Sequence, residues 1–252
     1  PTPDGRFGGH VAIADDASRV IVGASGTGSL GEIYIYERDA TGWVLEQTIT
    51  GEGLSSPAQI GGPTAMTNGH LLVAANQTVV VMTQQGGTWT EVGALAPSQL
   101  VASSGFGGRI VVDGTCIVIA AAGQPSGPTE TGMLFEYDMT QPSSGSGTTI
   151  VGRSLALEGD RLAIGALGRA YEYRRDSSGT FKRFALRWPP DYGSSSSMFG
   201  QSVGLYSNGL LVGDTDFNGN PYYFPWQTGG IHAFDFVDLR KPLMGCSRCV
   251  LA

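Results

Sequence analysis

The residues best suited to binding cluster near the C-terminal end of the sequence. Tyr222, Tyr223, Phe224 and Trp226 lie within five positions of one another in a long loop, residues 217–228. Tyrosine and tryptophan dominate the binding energy of protein interfaces, and their rings suit stacking on sugars equally well. The cluster is therefore the predicted partner-binding site. The competing interpretation is a loop that folds its aromatic side chains onto its own sheet.

A candidate metal loop comes just before these aromatics. Asp214, Asp216 and Asn218 occupy alternate positions and are followed by Gly219. Oxygen ligands at alternate positions of a loop that turns at a glycine can converge on calcium. The ninth position, where an acidic residue is expected, is Tyr222, so a turn rich in Asp and Asn is the other interpretation. Calcium is thus the one cofactor that the sequence suggests, and no cofactor is required.

Carboxylates also recur on predicted hairpin turns, at Asp15, Asp16, Asp113 and Asp160. If those turns line one face, two carboxylates about 5–10 Å apart could hydrolyse glycosidic bonds. Aspartate is, however, favoured in turns for backbone reasons alone. The sequence contains no Gly-x-Ser-x-Gly elbow, phosphate-binding loop or His-Glu-x-x-His motif. We therefore predict that the chain is not an enzyme, and a hydrolase or lyase with rim carboxylates is the weaker alternative.

Two cysteines, a sequon and the start of the sequence bear on the tail and the compartment. Cys246 and Cys249 are spaced for a local or intermolecular disulfide that would pin the tail, with free thiols as the alternative. Asn76 begins the one N-glycosylation sequon. The sequence starts at Pro1 without a signal peptide, which suggests a processed chain. The sequon and the start of the sequence favour a secreted or cell-surface protein.

Composition narrows the fold class. The 252 residues include 39 glycines, only 15% are charged, and the net charge is −7. This acidic balance argues against nucleic acid as a partner, because phosphate binding needs clustered cations. No apolar run approaches the ~18 residues of a membrane helix, so membrane insertion is not expected. What remains is an all-β, turn-rich globular chain.

A repeat of about 48 residues organises the sequence. Phe-Gly or a related pair opens each unit, near residues 7, 60, 106, 151 and 199. A second apolar run ends in a small-residue step such as Gly23-Ala24, and a third and a fourth run follow. Short β-branched runs bounded by Gly, Asn or Asp indicate strands, and Asn-Gly or Asp-Gly between the first two indicates type I′ hairpins. Four antiparallel strands per unit predict the blades of a β-propeller.

The repeat also predicts the domain organisation. A β-propeller occupies residues 1–236, and a C-terminal tail, residues 237–252, either closes the ring or contacts a partner. Five blades fit the length, with seven if the chain is a fragment. The fourth strand is missing or degenerate in units three and five, and residues 140–149 are predicted to be a flexible insertion.

This repeat resembles the FG-GAP family, best known from the propeller head of integrin α-subunits. The matching residues are Phe7-Gly8 with Gly23-Ala24, Phe106-Gly107 with Ala120-Ala121, and Phe199-Gly200 with Val212-Gly213. The resemblance covers residues 7–236 and is closest to the short-turn branch of the family. It implies a secreted or surface repeat protein, although the calcium loops of the family lie between the first two strands, where this chain has tight turns.

We therefore expect an extracellular interaction, adhesion or scaffold module that binds protein subunits of a larger assembly through loops on one propeller face. A carbohydrate-binding, lectin-like propeller that stacks sugars on Trp226 and Tyr222 is the alternative. A lectin would repeat its site in every blade, whereas this aromatic cluster occurs once.

Overall fold

The computed structural model describes residues 5–96, 105–121, 133–149, 154–166, 168–187, 199–206, 209–214 and 230–235. Apart from one 3-10 turn, Gly51–Gly53, the regular structure in these ranges is entirely β. None of the helical structure described there is long and apolar enough to cross a membrane. The strands form five sheets, which we call blades 1 to 5.

Each blade is an antiparallel meander in which every strand pairs with the next one in the sequence. Blade 1 consists of β1–β4: Phe7–Ile13, Arg19–Ala24, Glu32–Asp39 and Gly42–Thr50. Blade 2 consists of β5–β8: Thr64–Thr67, His70–Ala75, Thr78–Gln85 and Thr88–Leu95. Blade 3 consists of β9–β12: Phe106–Asp113, Cys116–Ala121, Met133–Asp138 and Gln141–Thr149. Blade 4 consists of β13–β16: Ser154–Glu158, Arg161–Ala166, Arg169–Arg175 and Phe181–Arg187. The described strands of blade 5 are β17–β19: Ser202–Tyr206, Gly209–Asp214 and Gly230–Asp235.

The chain divides into two compact units, residues 1–150 and 151–252. Blades 1 to 3 belong to the first unit, and blades 4 and 5 belong to the second. In both units, alternate residues of a strand point to opposite faces of the sheet, so an interior blade can bury apolar side chains on both faces.

The hairpin turns follow the glycine and asparagine signals of the sequence. Asn68 and Gly69 both have positive φ, +47° and +72°, as the predicted type I′ turn requires. In the corresponding turns of blades 3 and 4, positive φ falls on Gly114 and Gly159 at the first position. Glycine at that position is typical of a type II′ turn instead.

The prediction of an insertion over residues 140–149 is wrong. Residues Gln141–Thr149 form β12, which pairs with β11 and completes blade 3 as a fourth strand. The segment contains Pro142 and several Ser and Gly residues, which have low β-propensity. An edge strand tolerates them because it is paired on one side only, so a missing N–H need not break the ladder.

Each face of blade 2 belongs to a different buried cluster. Met66, Val73 and Trp89 pack with Ile21 and Ile33 of blade 1. The alternate residues of blade 2 pack with blade 3 instead, in a cluster that includes Leu72, Val79, Val81, Phe106, Ile117 and Ile119. Blade 2 is therefore held between its two neighbours by apolar side chains of alternating register.

The opening pair of one repeat lies against the small-residue step of the repeat before it, at the points where successive blades touch. A Cβ placed on Gly23, in the small-residue step of blade 1, would lie 2.3 Å from the carbonyl oxygen of Gly61, at the opening of blade 2. The same contact recurs in the second unit, where a Cβ on Gly165 would lie 2.0 Å from the carbonyl oxygen of Gly200. Backbone approaches backbone at these points, so glycine is required by space alone.

We expect Gly23→Ala to destabilise the protein by about 1–3 kcal/mol, because a methyl group there forces backbone atoms of Gly61 to move. Gly93→Ala is the matched control: it also lies in a strand with ordinary φ, but a Cβ there would meet nothing within 4 Å. Its effect should stay within about 1 kcal/mol. Urea unfolding of the two variants measures the difference, and equal losses of stability would contradict the close-contact interpretation.

Candidate functional site

A pocket of about 280 Å³ lies in the first unit, where the turns after β1 and β5 meet the β7–β8 hairpin. Its lining combines carboxylates, a guanidinium group, amides, a hydroxyl and an indole ring, a mixture that can orient a polar ligand. We call it the turn-face pocket and define it by Asp15, Asp16, Arg19, Thr67, Gln84 and Trp89.

The turn after β1 carries the two carboxylates at the mouth of the pocket. Oδ1 of Asp16 accepts a hydrogen bond from the backbone N–H of Ser18 at 2.9 Å, and Ala17 between them has a φ of +54°. The hydrogen bonds from Ser18 lower the pKa of Asp16 below its ordinary 3.8. Asp16 is therefore ionised at neutral pH, and both it and Asp15 are exposed.

The hydroxyl of Thr67 links this turn to two further blades. Thr67 is only 1% exposed, and its Oγ1 lies 2.9 Å from Oδ2 of Asp15 and 2.7 Å from the carbonyl oxygen of Gly114. A hydroxyl has one proton to donate, so these two acceptors share it. Thr67 thus positions Asp15 while leaving most of the lone pairs of that carboxylate for a ligand.

Arg19, which lines the pocket, is held from behind by Glu46. Nε and Nη2 of Arg19 donate to Oε2 and Oε1 of Glu46 at 2.9 and 3.1 Å, a bidentate pair. Glu46 also accepts from Nε1 of Trp89 at 3.3 Å and from the amide of Gln84. The guanidinium of Arg19 lies 5.8 Å from the centre of the Trp89 ring. Blades 1 and 2 are therefore joined by a polar network as well as by apolar packing.

A β-bulge places Glu46 in this network. The pairing of β3 with β4 runs from Ile35–Gln47 directly to Tyr36–Leu45, so Glu46 is the extra residue. A bulge re-aims the side chain of the extra residue and twists the strand. The amide of Gln47 then brackets the Trp89 backbone, donating to its carbonyl oxygen at 3.1 Å and accepting from its N–H at 2.8 Å.

The charged side chains in and behind the pocket make it acidic overall. Arg19 is paired with two glutamates, so its charge is balanced within the protein. Burial raises the pKa of Glu46, but the hydrogen bonds from Arg19 and Trp89 outweigh it and hold the pKa below the ordinary 4.5. Asp15 and Asp16 add negative charge at the mouth, where it is available to a cationic group.

Most of the site residues predicted from the sequence lie outside the described residues, and these predictions stay predictions. They are the proposed partner-binding residues Tyr222, Tyr223, Phe224 and Trp226, the metal ligands Asp216 and Asn218, and the disulfide pair Cys246 and Cys249.

Two other candidates can be placed. Asp214, the first residue of the proposed calcium loop, ends β18 and is 2% exposed. Within the described ranges, no group of three or more His, Cys, Asp or Glu side chains is arranged to hold a metal ion. Asn76 of the glycosylation sequon is exposed, with a φ of +44°, between β6 and β7.

Sequence reasoning identified part of the turn-face pocket. It placed Asp15 and Asp16 on a turn that could line one face, and Thr67 indeed connects that turn with the one that contains Gly114. It missed Arg19 and Glu46, which are 27 residues apart in the sequence. The available signal was that Glu46 is the lone charged residue of β4 and directly follows Trp43, Val44 and Leu45.

No protein-family model and no curated protein matches the sequence. Solved structures match it in fold. The periplasmic gluconolactonase PpgL of Pseudomonas aeruginosa has a TM-score of 0.53 at 14% identity, over 82% of this chain and 68% of that one. A protein of Bacteroides fragilis assigned as a 6-phosphogluconolactonase has a TM-score of 0.53 at 12% identity, over 87% of this chain and 64% of that one.

A third match belongs to a Saccharomyces cerevisiae complex of Dbp5 bound to Nup159, Gle1, IP6 and ADP. Its TM-score is 0.53 at 11% identity, over 90% of this chain, which spans only 58% of that one. The matches and the four-stranded antiparallel sheets confirm the predicted fold class: the chain is a β-propeller protein. At these identities the likeness shows the fold alone.

The comparisons contradict the prediction that the chain is not an enzyme. Two of the matching structures carry the names of lactonases. The prediction rested on the absence of short catalytic motifs, and such motifs are poor evidence in a fold whose sites are assembled from turns far apart in sequence.

The hydrogen-bond network around Glu46 should contribute measurably to the free energy of unfolding. We expect Glu46→Gln to lower the free energy of unfolding at neutral pH by about 1.5–3 kcal/mol, since it removes charge-assisted hydrogen bonds from a carboxylate that is 10% exposed. Glu37→Gln removes the other partner of Arg19, but Glu37 is 52% exposed. That control should cost less than about 1 kcal/mol.

The same variants test the pH dependence. The pKa of Glu46 is lower in the folded protein, so its contribution is present above pH 4.5, the ordinary pKa, and is lost as the pH falls through the folded pKa. Urea unfolding from pH 7 to pH 3 should therefore show a shallower acid loss of stability for Glu46→Gln than for the wild type. Parallel curves would show that Glu46 is not the titrating group.

Proposed function

We propose that this chain is an FG-GAP-type β-propeller that binds a protein partner by receiving one of its basic side chains in the turn-face pocket. The observation that best supports this proposal is the arrangement of charges. Arg19 is paired with two glutamates of the protein, while Asp15 and Asp16 are exposed at the mouth of the pocket. A volume of about 280 Å³ lies just below the roughly 300–1,000 Å³ of pockets for drug-sized ligands. It suits one long side chain.

Further features support a binding role outside the cell. The FG-GAP resemblance is typical of secreted and surface proteins, and the exposed sequon at Asn76 is consistent with glycosylation there. The aromatic residues Tyr222, Tyr223, Phe224 and Trp226, and a calcium ion at Asp214, Asp216 and Asn218, stay in the proposal as separate candidate sites. Among the matching folds, a complex named for Dbp5, Nup159 and Gle1 is an assembly of proteins.

A titration with a blocked arginine amide tests the pocket, with the indole N–H resonance of Trp89 as the reporter. We expect this resonance to shift with the arginine probe and to remain in place with a blocked glutamine amide. The double variant Asp15→Asn, Asp16→Asn should weaken binding roughly fivefold or more, because each exposed carboxylate contributes up to ~1 kcal/mol.

Asp113→Asn is the matched control, since it removes an exposed carboxylate at the end of β9 that does not line the pocket. It should bind the arginine probe as the wild type does. Equal weakening by the control and the double variant would attribute binding to the general negative charge of the protein and would overturn the pocket assignment.

A hydrolase acting at the same pocket is the second candidate. Asp15 is held by Thr67 and keeps lone pairs with which to accept a proton from an attacking water. Two matching folds are named lactonases, and lactone opening is a hydrolysis of this kind. Hydrolysis of a sugar lactone that disappears in Asp15→Asn and persists in Asp113→Asn would favour this candidate over side-chain capture.

A further inference from the structure

The first hairpin turn of blade 2 consists of Asn68 and Gly69, and both residues line the turn-face pocket. Their φ values of +47° and +72° are those of a type I′ turn. Both residues are exposed. The turn therefore places an asparagine side chain at the edge of the pocket, directly before the backbone nitrogen of a glycine.

Asparagine followed by glycine is prone to a spontaneous reaction. The backbone nitrogen of the second residue can attack the side-chain carbonyl carbon of the asparagine and close a five-membered succinimide ring. Glycine has no Cβ to shield its nitrogen, so the attack is easiest in this dipeptide. Asparagine accordingly counts among the thermolabile residues.

The hairpin leaves the attacking nitrogen at its tip. Strands β5 and β6 pair as far as Thr67 and His70, so the turn contains only Asn68 and Gly69. In a two-residue hairpin, the flanking residues close the ladder, and the N–H of the second turn residue lies outside it. A Cβ placed on Gly69 would meet nothing within 4 Å. The surroundings of the tip are therefore open enough for the nitrogen to approach the side chain of Asn68.

His70 activates the same peptide group. Its Nδ1 lies 2.9 Å from the backbone carbonyl oxygen of Asn68. A carbonyl oxygen can only accept a hydrogen bond, so Nδ1 is the donor. This carbonyl belongs to the peptide group that contains the nitrogen of Gly69. Donation to the oxygen stabilises the negative charge that develops as the nitrogen loses its proton, so the nucleophile forms more readily.

We propose that Asn68 is a site of spontaneous deamidation that adds a carboxylate to the turn-face pocket. The deprotonated nitrogen of Gly69 forms a bond to Cγ of Asn68. The bond from Cγ to the side-chain nitrogen breaks, and this nitrogen takes up a proton and leaves as ammonia. Water then opens the succinimide at either carbonyl and gives aspartate or isoaspartate. Each product carries one negative charge where asparagine had none.

The new charge joins those of Asp15 and Asp16 in the lining of the pocket. Thr67, which precedes Asn68 in the chain, has its hydroxyl oxygen 2.9 Å from Oδ2 of Asp15. Carboxylates that repel one another attract a cationic group more strongly than one carboxylate does. Deamidation therefore strengthens the capture of a basic side chain. This consequence rests on the proposed function, whereas the reaction itself does not.

Mass spectrometry of the aged wild-type protein, made in bacteria, tests the reaction. The folded chain is incubated at neutral and at mildly alkaline pH and digested under acidic conditions, which suppress further deamidation. The peptide that contains Asn68 should show the mass change of an amide converted to an acid, and it should do so faster at the higher pH.

Asn76 is the internal control. It is exposed and begins a turn of the same kind, in which Asn76 and Gln77 have φ values of +44° and +65°. The residue after it carries a side chain that shields the backbone nitrogen. Asn76 should therefore keep its amide in the sample in which Asn68 loses it.

His70→Phe separates activation from packing. Loss of the donor should slow the deamidation of Asn68 roughly twofold to tenfold, the effect of losing one hydrogen bond. A purely structural role predicts the opposite result, because a loosened turn reaches the geometry of attack more often. Circular dichroism establishes that the variant folds, and faster deamidation in it would show that His70 does not activate the peptide.

Asn68→Asp carries the charge of the product and tests its effect on the pocket. It should bind the blocked arginine amide up to about fivefold more tightly than the wild type does, as measured by the indole resonance of Trp89. Asn76→Asp is the matched control, since it adds the same charge at a residue that does not line the pocket. It should bind like the wild type.

Loss of the amide at equal rates from Asn68 and Asn76, or from neither, would overturn the deamidation site. Equal binding by Asn68→Asp and Asn76→Asp would overturn its effect on the pocket. A wild type that does not bind arginine argues against the proposed function alone, because the mass change at Asn68 is measured without a ligand.

Discussion

The fold depends on one repeated contact, in which the backbone at the opening of a blade lies directly against the small-residue step of the blade before it. Gly23 meets the carbonyl oxygen of Gly61, and Gly165 meets that of Gly200, at distances that leave no room for a side chain. This contact fixes the spacing of successive sheets, and the apolar side chains on either side then interdigitate at close-packed density.

The same spacing brings distant turns into one polar site. Because blades 1, 2 and 3 succeed one another at a fixed separation, Thr67 can reach both Asp15 and the carbonyl oxygen of Gly114. These atoms belong to three blades, and their sequence separations from Thr67 are 52 and 47 residues, close to one repeat in each direction. The turn-face pocket is therefore a consequence of the repeat period.

The sequence predicted the features that the backbone controls locally. The repeat, the Asn68-Gly69 hairpin and the small-residue step each depend on residues that are adjacent in the chain, so their signals are readable. The sequence did not predict β12. This edge strand is held by ladder hydrogen bonds to β11, and its Ser and Gly residues carry no strand signal. The sequence also did not predict the ion pair of Arg19 with Glu46, because this pair depends on the β-bulge in β4.

The bulge explains how a repeating architecture gives the junction of blades 1 and 2 a polar network. Blades 1, 2 and 4 share an extra residue at the same point of the fourth strand, but the residue differs: Glu46, Val92 and Phe184. Val92 is 50% exposed, and Phe184 stacks under the guanidinium of Arg174 at 3.8 Å. Glu46 reaches across to Gln84 and Trp89 of the next blade. One side chain on a common backbone thus makes the junction between blades 1 and 2 polar.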